Sequence, residues 1–300
     1  MERVLITGGT GFLGHHLSDK LSQNGYEVAL LSRGTKKQST YPVFTWDPGT
    51  GFIDSAAKDF PDYIIHLAGA GIGSKRWSRE RRCEIINSRS GAADNLYSAF
   101  AGSKKLKAFI SASATGYYGS VTSDKIFSED DQPAGDFLGN TCARWEESAI
   151  RFSPAGKRVV RIRTAVVLAR DGGALKQMAI PVKLGIGSAI GNGKQYIPWI
   201  HLEDLCGIYL MAIENSMMSG AFNAVAPDFR TSKTFTRALA KALSKPFWFP
   251  NVPAFVMKAL FGEMSDILLK GSRVSPAKII SSGFRFRYPD LESALEEIYS

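Results

Sequence analysis

Arg3-Val4-Leu5-Ile6-Thr7 runs directly into Gly8-Gly9-Thr10-Gly11-Phe12-Leu13-Gly14, and this stretch decides the fold. Its first five residues are β-branched and aliphatic, the composition of a short buried strand. From Leu13 the apolar side chains recur at Leu17 and Leu21, one face of a helix. Asn24-Gly25 is a natural helix stop, and residues 27–31 supply the next apolar strand, which completes a βαβ unit of about thirty residues. Strand, glycine turn, helix and strand in that order predict a parallel sheet.

Gly8, Gly11 and Gly14 form a G-x-x-G-x-x-G pattern. The first glycine permits the tight turn, the second lets the backbone approach a pyrophosphate, and the third lets helix and strand pack closely. The helix start adds unpaired N–H groups that face an anion. A glycine triplet alone is weak, but here it follows a strand and opens a helix, the context that makes it a dinucleotide-binding fingerprint. The cofactor-binding turn is therefore assigned to Gly8, Gly11, Phe12 and Leu13.

The end of the second strand chooses between dinucleotides. A carboxylate there would hold the ribose hydroxyls of NAD, and a guanidinium accommodates the extra phosphate of NADP. Leu30-Leu31-Ser32-Arg33 places a hydroxyl and an arginine at that spot, with Lys36 and Lys37 just after. Arginine's fork matches a phosphate dianion. The expected cofactor is NADP, held in part by Ser32 and Arg33.

Similar units recur downstream. Residues 63–68 read as a strand, 78–100 as a long amphipathic helical stretch, 108–113 as a strand, 140–152 as a helix, and 159–168 as one strand. The alternation predicts an α/β fold with a doubly wound parallel sheet of the Rossmann type, whose ligands sit at the carboxyl ends of the strands. After Leu168 the chain turns to glycine-rich linkers and aromatic, proline-containing segments such as Lys245-Pro246-Phe247-Trp248-Phe249-Pro250. Residues 1–168 are expected to form the dinucleotide-binding domain, and 169–300 mainly a smaller C-terminal substrate lobe, with later segments returning to the sheet.

The 300 residues, 44% apolar and 22% charged, suit one large α/β domain and argue against long disorder. No stretch approaches the roughly 20 apolar residues of a membrane span, and the first strand follows Met1-Glu2 without an export-type apolar run. Cys83, Cys142 and Cys206 are an odd count with neither zinc nor redox-pair spacing. A cytoplasmic protein is expected. His15, His16, His66 and His201 fall in no ligand-like pattern, so no metal is assigned. The net charge of +9 raises the question of nucleic acid. Its nearest cluster, Lys75-Arg76-Trp77-Ser78-Arg79-Glu80-Arg81-Arg82, reads first as a solvated helix face, and attraction for phosphorylated small molecules explains the surplus as well.

The chain resembles the extended short-chain dehydrogenase/reductases through residues 7–14, through His66-Leu67-Ala68-Gly69, and through Ser111-Ala112-Ser113-Ala114-Thr115-Gly116-Tyr117-Tyr118-Gly119. It is most similar to an atypical branch, the NADP-binding "epimerase family" proteins with a C-terminal domain of unknown function. Trp46-Asp47-Pro48, Arg76-Trp77, Ser88-Arg89, Trp145-Glu146, Gly191-Asn192-Gly193-Lys194-Gln195 and Val274-Ser275-Pro276 carry that likeness. The resemblance implies that Leu67, Ala68 and Gly69 pass under the adenosine and pyrophosphate. It also implies that Glu84 and Arg89 approach the cofactor, and that Thr164 lies near the nicotinamide. Related folds often pair as homodimers.

The same resemblance exposes a gap. Such enzymes use a tyrosine four residues before a lysine, so that ammonium and ribose lower the phenol's pKa. None of the ten tyrosines has a lysine four places on. Aligning Glu146 with the acidic residue that follows the lysine puts Leu138 and Cys142 at those positions. Ser113 fits the serine of the reaction, and Tyr117, Tyr118 and His201 remain as proton-transfer candidates, with Ser113 and Tyr118 taken as the catalytic pair. Three functions follow: an NADP-dependent oxidoreductase or epimerase acting on a small molecule; a catalytically weak NADP sensor whose occupancy orders the C-terminal lobe for a partner; and, with least support, a nucleic-acid-binding protein.

Overall fold

Val4, Leu5, Ile6 and Thr7 are all solvent-inaccessible, which puts the first strand at the centre of a sheet covered on both faces. The computed structural model describes residues 1–34 and 39–300, so Lys36 and Lys37 lie outside the described residues. Twelve strands are described, β1 Arg3–Thr7, β2 Glu27–Ser32, β3 Val43–Asp47, β4 Phe52–Ile53, β5 Tyr63–His66, β6 Ala108–Ala114, β7 Ile126–Phe127, β8 Arg158–Thr164, β9 Val166–Leu168, β10 Trp199–His201, β11 Gly220–Ala224 and β12 Arg273–Val274. The helices are α1 Phe12–Gln23, α2 Ser55–Lys58, α3 Arg79–Ile86, α4 Ala92–Phe100, α5 Phe137–Ile150, α6 Gly173–Lys183, α7 Leu202–Glu214, α8 Ser232–Ala242, α9 Ala254–Phe261, α10 Asp266–Leu269, α11 Ala277–Ser281 and α12 Leu291–Tyr299.

The main sheet runs β11-β8-β6-β5-β1-β2-β3-β4. Every neighbouring pair is parallel except the antiparallel pair β3 and β4 at one edge. The chain winds outward from β1 through β2 to β3, then crosses to the other side of β1 as β5 and continues to β6, β8 and β11. The strand order therefore reverses between β1 and β5, and the carboxyl ends of those two strands open a crevice. Thr7 pairs with His66 at that point.

Two apolar layers hold the helices to the sheet. Leu17 and Leu21 of α1, Leu205, Ile208 and Tyr209 of α7, and Val4, Ile6, Ile65 and Ile110 form one. Leu5, Ile64, Phe109, Leu96, Phe100 and Phe152 form the other. The alternation of Leu5 against Val4 and Ile6 follows from the two-residue side-chain period of a strand. Removing one such fully buried side chain forfeits about 1.5–3 kcal/mol of transfer free energy before any cavity cost. A third cluster, with Trp199, Phe235, Leu239, Leu291, Leu295 and Ile298, is the core of the C-terminal lobe.

Two details depart from the sequence reading. The apolar run 159–168 is not one strand: β8 stays in the main sheet between β6 and β11, and after Ala165 the chain leaves to form β9, which pairs with β10 in a separate sheet. The long helical stretch after residue 78 is interrupted by a π-turn, Asn87–Gly91, between α3 and α4. Such insertions displace side chains around the helix axis and are frequent at functional sites.

Candidate functional site

The glycine turn is built as the sequence required. Gly8 has φ +72°, and a Cβ there would meet Ala68 N at 2.9 Å and Leu67 C at 3.0 Å. A Cβ at Gly14 would come within 2.3 Å of Gly8 O and 2.5 Å of Gly9 Cα, so α1 reaches the strand only because position 14 lacks one. Gly11 N donates to Gly8 O at 2.9 Å to close the turn. No side chain caps the start of α1, and its first turn carries no acidic residue. The first N–H groups of α1 are thus free of side-chain acceptors, with the positive end of the helix dipole behind them.

This turn is one wall of a cavity of about 920 Å³ that opens at the β1/β5 switch point. That volume lies at the upper end of the range for small-molecule and cofactor sites. Gly8, Thr10 and Gly11 line it from the turn, Ser32, Arg33 and Gly34 from the end of β2, and Leu67, Ala68 and Gly69 from the end of β5. Glu84 enters from α3. Phe12 and Leu13 are not in this wall: a Cβ at Gly172 would strike the Phe12 ring at 2.4 Å, which shows how closely that ring packs on the start of the C-terminal lobe, and Leu13 packs on the core.

Several lining residues were not singled out as site residues from sequence. Trp46, Asp47, Pro48 and Gly49 line the cavity from the end of β3, and Ala70, Gly71, Arg81, Asn87 and Ser88 from the loop after β5 and the helix beyond it. The first group had a readable signal, since the carboxyl end of any strand beside β2 faces the same crevice. In the second, Asn87 and Ser88 lie in the π-turn, which no period in the sequence announces.

Behind the wall lies a polar relay. Ala68 N–H donates to Thr7 Oγ1 at 3.2 Å, and Thr7 Oγ1 and His66 Nδ1 are 2.8 Å apart. The other ring nitrogen, His66 Nε2, is 3.2 Å from the Arg89 carbonyl, which only accepts, so the proton sits on Nε2 and Thr7 donates to Nδ1. Complete burial pushes the His66 pKa down to about 4. Arg89 is 7% exposed; it donates to Ala70 O at 2.9 Å and Ile85 O at 3.0 Å and stacks 5.2 Å above Trp145. Its burial holds its pKa below the usual arginine value. Arg81 is similarly enclosed, bonding Gly71 O, Ser74 Oγ at 2.7 Å and Glu84 Oε2 at 2.6 Å.

A second network, outside the cavity lining, occupies the carboxyl half of β6 and β8. Glu146 on α5 receives both nitrogens of an Arg163 fork at 2.8 and 3.0 Å, Arg161 Nη1 at 3.1 Å, and Ser113 Oγ at 2.8 Å. Tyr118 OH donates to Asn223 Oδ1 at 2.7 Å and accepts from Arg163 Nη1 at 2.9 Å. Burial pushes the Tyr118 phenol up to about 12. The two expected catalytic hydroxyls are therefore interior groups with partners, Ser113 3% and Tyr118 1% exposed. Tyr117 is half-buried, with the Arg163 guanidinium 3.5 Å from its ring centre. Thr164, half-buried, gives its hydroxyl to Ile162 O at 3.3 Å.

At the positions of the missing pair, Leu138 and Cys142 are both close to Gly116, where a Cβ would meet Leu138 Cβ at 3.5 Å and Cys142 Sγ at 3.9 Å. Burial, with Glu146 adding, lifts the Cys142 thiol to about 12. His201 stands apart: it caps α7, accepting from Glu203 N at Nδ1 and donating from Nε2 to Glu297 at 3.0 Å. The basic cluster that leads into α3 and fills its first turn is likewise engaged, with Arg76, Arg81 and Arg82 each bonded within the chain. Among the described residues no group of three or more His, Cys, Asp or Glu could hold a metal ion, and no helix is long and apolar enough to cross a membrane.

An open sheet of this strand order with a glycine turn at its switch point defines a doubly wound α/β protein of the Rossmann type. Comparison with known proteins narrows the class. Residues 4–144 match the NAD dependent epimerase/dehydratase family, and residues 252–298 match a domain of unknown function, DUF1731. The epimerase family protein YfhF of Bacillus subtilis (strain 168) is 37% identical over 299 residues, covering 98% of this chain and 97% of that protein. The human epimerase family protein SDR39U1 is 36% identical over 305 residues, covering 99% of each. A crystal structure of human SDR39U1 (isoform 2) with NADPH superposes with a TM-score of 0.88 at 34% identity, over 99% of both chains. The UDP-glucose 4-epimerase of Thermus thermophilus, solved with NAD, shares the fold at a TM-score of 0.80 and 21% identity, over 99% of this chain and 97% of that one. The chain belongs to the epimerase family of extended short-chain dehydrogenase/reductases.

Proposed function

We propose that this chain binds NADP(H) and uses it as an oxidoreductase or epimerase-like protein on a small molecule. The observation that carries the reading is Arg33. It stands, with Ser32, at the carboxyl end of β2 in the cavity that the Gly8–Gly11 turn also lines, and that strand end bears no carboxylate. A guanidinium there answers a ribose phosphate and leaves a free ribose hydroxyl without its usual acceptor. The NADPH in the human relative's structure supports the same cofactor.

The residues fit such a group. Gly8 and Gly11 leave room for a diphosphate, and the uncapped start of α1 would face it. Leu67, Ala68 and Gly69 would floor the nucleoside, with Ala68 held by Thr7 and Ala70 by Arg89 and Ser88. When bound, the nicotinamide supplies or accepts a hydride. Glu84, Arg89 and Thr164 belong to this reading as cofactor-side residues, Ser113 and Tyr118 as the hydroxyls next to the chemistry. Three unbridged cysteines accord with a reducing, cytoplasmic setting.

A second reading is favoured by one cluster: Leu138 and Cys142 stand where a proton-transferring pair is expected, and both the Ser113 and Tyr118 hydroxyls are engaged inside. In that reading the chain is an NADP-occupied sensor with little turnover. Fluorescence titration with NADPH and NADH, followed by a panel of carbonyl compounds and nucleotide sugars, tests both. Preferential NADPH binding with turnover supports the enzyme; binding without any turnover supports the sensor. Equal affinity for both dinucleotides would overturn the cofactor assignment.

A further inference from the structure

Residues 253–267, inside the region that matches the domain of unknown function, are attached to the molecule in an unusual way. Both ends are anchored. On one side Val252 N donates to Ala189 O at 2.9 Å, Gly191 N to Val252 O at 2.8 Å, and Asn251 Nδ2 to Gly191 O at 3.1 Å. On the other, Gln195 Nε2 donates to Leu268 O at 2.7 Å and Ser272 Oγ to Val121 O at 2.7 Å. Between these anchors little is buried. Met257, Met264 and Ser265 face inward, while Phe255 is 72% and Leu260 58% exposed.

Among the described residues, apart from the local Asp266–Lys270 contacts at one end, the hydrogen bonds and ion pairs that tie 253–267 to the rest of the chain come from two arginines. Arg76 donates from Nε to Leu260 O at 2.9 Å and from Nη2 to Ala259 O at 2.6 Å, and Arg82 pairs with Glu263. The two carbonyls are in the last turn of α9, where they have no helical partner and where the dipole favours a cation. Gly262, at φ +59°, turns the chain immediately after. A guanidinium from the sheet domain thus closes the end of a helix from the lobe.

The arginines belong to the segment that walls the dinucleotide cavity. Arg81, Glu84, Asn87 and Ser88 line it, and Arg81 also binds Gly71 O and Ser74 Oγ in the loop leading to Arg76. Arg82 lies 5.1 Å from the Phe137 ring at the start of α5, with Trp77 packed edge-on against that ring at 4.7 Å. One piece of chain therefore lines the cavity and also holds the arch of 253–267.

We propose that residues 253–267 are a flap, that Arg76 and Arg82 latch it shut over the segment walling the cavity, and that filling the cavity tightens the latch. The latch stands on its own contacts; only the coupling to occupancy rests on the dinucleotide reading. A ligand that orders residues 81–88 orders the arginines beside them, and a flap so weakly buried opens at a free-energy cost set by those few contacts.

Hydrogen–deuterium exchange on the full chain tests this. Without cofactor, Arg76→Ala and, from the flap side, Glu263→Gln should each raise exchange in peptides covering 254–265 by about tenfold, the loss of one charge-assisted contact. Exchange in the β6 peptide should not move, which shows that the variants fold. In the unsubstituted protein NADPH should slow the 254–265 peptides, and in Arg76→Ala it should not. Exchange unchanged in both variants would overturn the latch. NADPH that binds by fluorescence yet leaves 254–265 unchanged would overturn the coupling. Absence of NADPH binding would sink the functional reading and the coupling together, while the cofactor-free variants still judge the latch.

Discussion

Thr7 and His66 face each other across the first and fifth strands, Thr7 Oγ1 2.8 Å from His66 Nδ1, at the point where strand order reverses. Through this pair the backbone of Ala68, in the cavity wall, is fixed to the backbone of Arg89, in the π-turn. The relay works only with a neutral imidazole, because Nδ1 must accept while Nε2 donates.

That requirement makes stability depend on pH. The folded pKa of His66, about 4, lies below its ordinary value of 6.5, so the unfolded chain binds more protons in that interval. The contribution is fully present above pH 6.5 and is lost as pH falls toward 4, to a total of about 3 kcal/mol. His201, also lowered by burial, adds in the same direction. Urea midpoints measured between pH 7 and 4.5 should fall in the native protein and fall less steeply in His66→Gln. Parallel curves would show that His66 is not the titrating group.

Gly14 and Gly11 should separate folding from binding. A methyl at Gly14 meets backbone atoms that cannot yield, at 2.3 and 2.5 Å, so Gly14→Ala should cost about 1–3 kcal/mol or more and lower the melting temperature. At Gly11 the nearest atom to a Cβ is Gly8 O at 3.1 Å, a tight contact that a shift of a few tenths of an ångström relieves, and φ is −83°, so Gly11→Ala should cost far less than Gly14→Ala. Its methyl would project at the turn assigned to the diphosphate. NADPH affinity should drop while the melting temperature falls much less than in Gly14→Ala; equal affinity for NADPH in Gly11→Ala would move the phosphate site away from this turn.

The contrast between these glycines and the rest of the site shows what a sequence displays. Residues 3–14 were legible because strand, turn and helix are neighbours in the chain, and each demands a residue type locally. Arg33 was legible because a βαβ unit fixes where its second strand ends. The run 159–168 was misleading, since ten residues of strand-like composition say nothing of where they change partners; Ala165 separates two sheets. Ser88 was hidden by the π-turn, and the fork between Arg163 and Glu146 by the fold itself, which brings a strand and a helix together. Lys36 and Lys37 lie outside the described residues.

The Glu146 cluster should respond unevenly to substitution. Glu146→Gln leaves the Arg163 guanidinium, 2% exposed, without its countercharge, at a cost of about 3–5 kcal/mol. Ser113→Ala removes one of four donors to that carboxylate and should cost about 1 kcal/mol. Denaturant titration checks both. If Ser113 also acts in a reaction, Ser113→Ala should depress turnover far beyond what its small loss of stability explains. Unaltered turnover would confine Ser113 to holding Glu146.

Restoring the missing lysine should fail. Cys142 is 3% exposed; burial, with the Glu146 carboxylate adding, lifts its thiol's pKa to about 12 against the opposing Arg89 guanidinium, itself a cation already buried beside α5. Cys142→Lys would add a second cation there, disfavoured by burial and by like charge, and should destabilise the fold by several kcal/mol. Melting curves decide this: a Cys142→Lys protein as stable as the native one would mean that the site has room and water for an ammonium.

In the proposed reading, Arg33 carries the choice of dinucleotide. Its side chain is exposed at the cavity rim, so its pairing with a ribose phosphate would be screened by salt. Removing one charge-assisted contact of this kind weakens binding by about 10- to 100-fold. Arg33→Ser should therefore raise the dissociation constant for NADPH by that amount, leave NADH nearly untouched, and flatten the dependence of NADPH binding on ionic strength. Titrations of both cofactors at low and high salt provide the measurement. A preference for NADPH that survives Arg33→Ser would transfer the role to other groups near the end of β2, because the diphosphate proposed for the glycine turn is a part of the molecule that NADH and NADPH have in common.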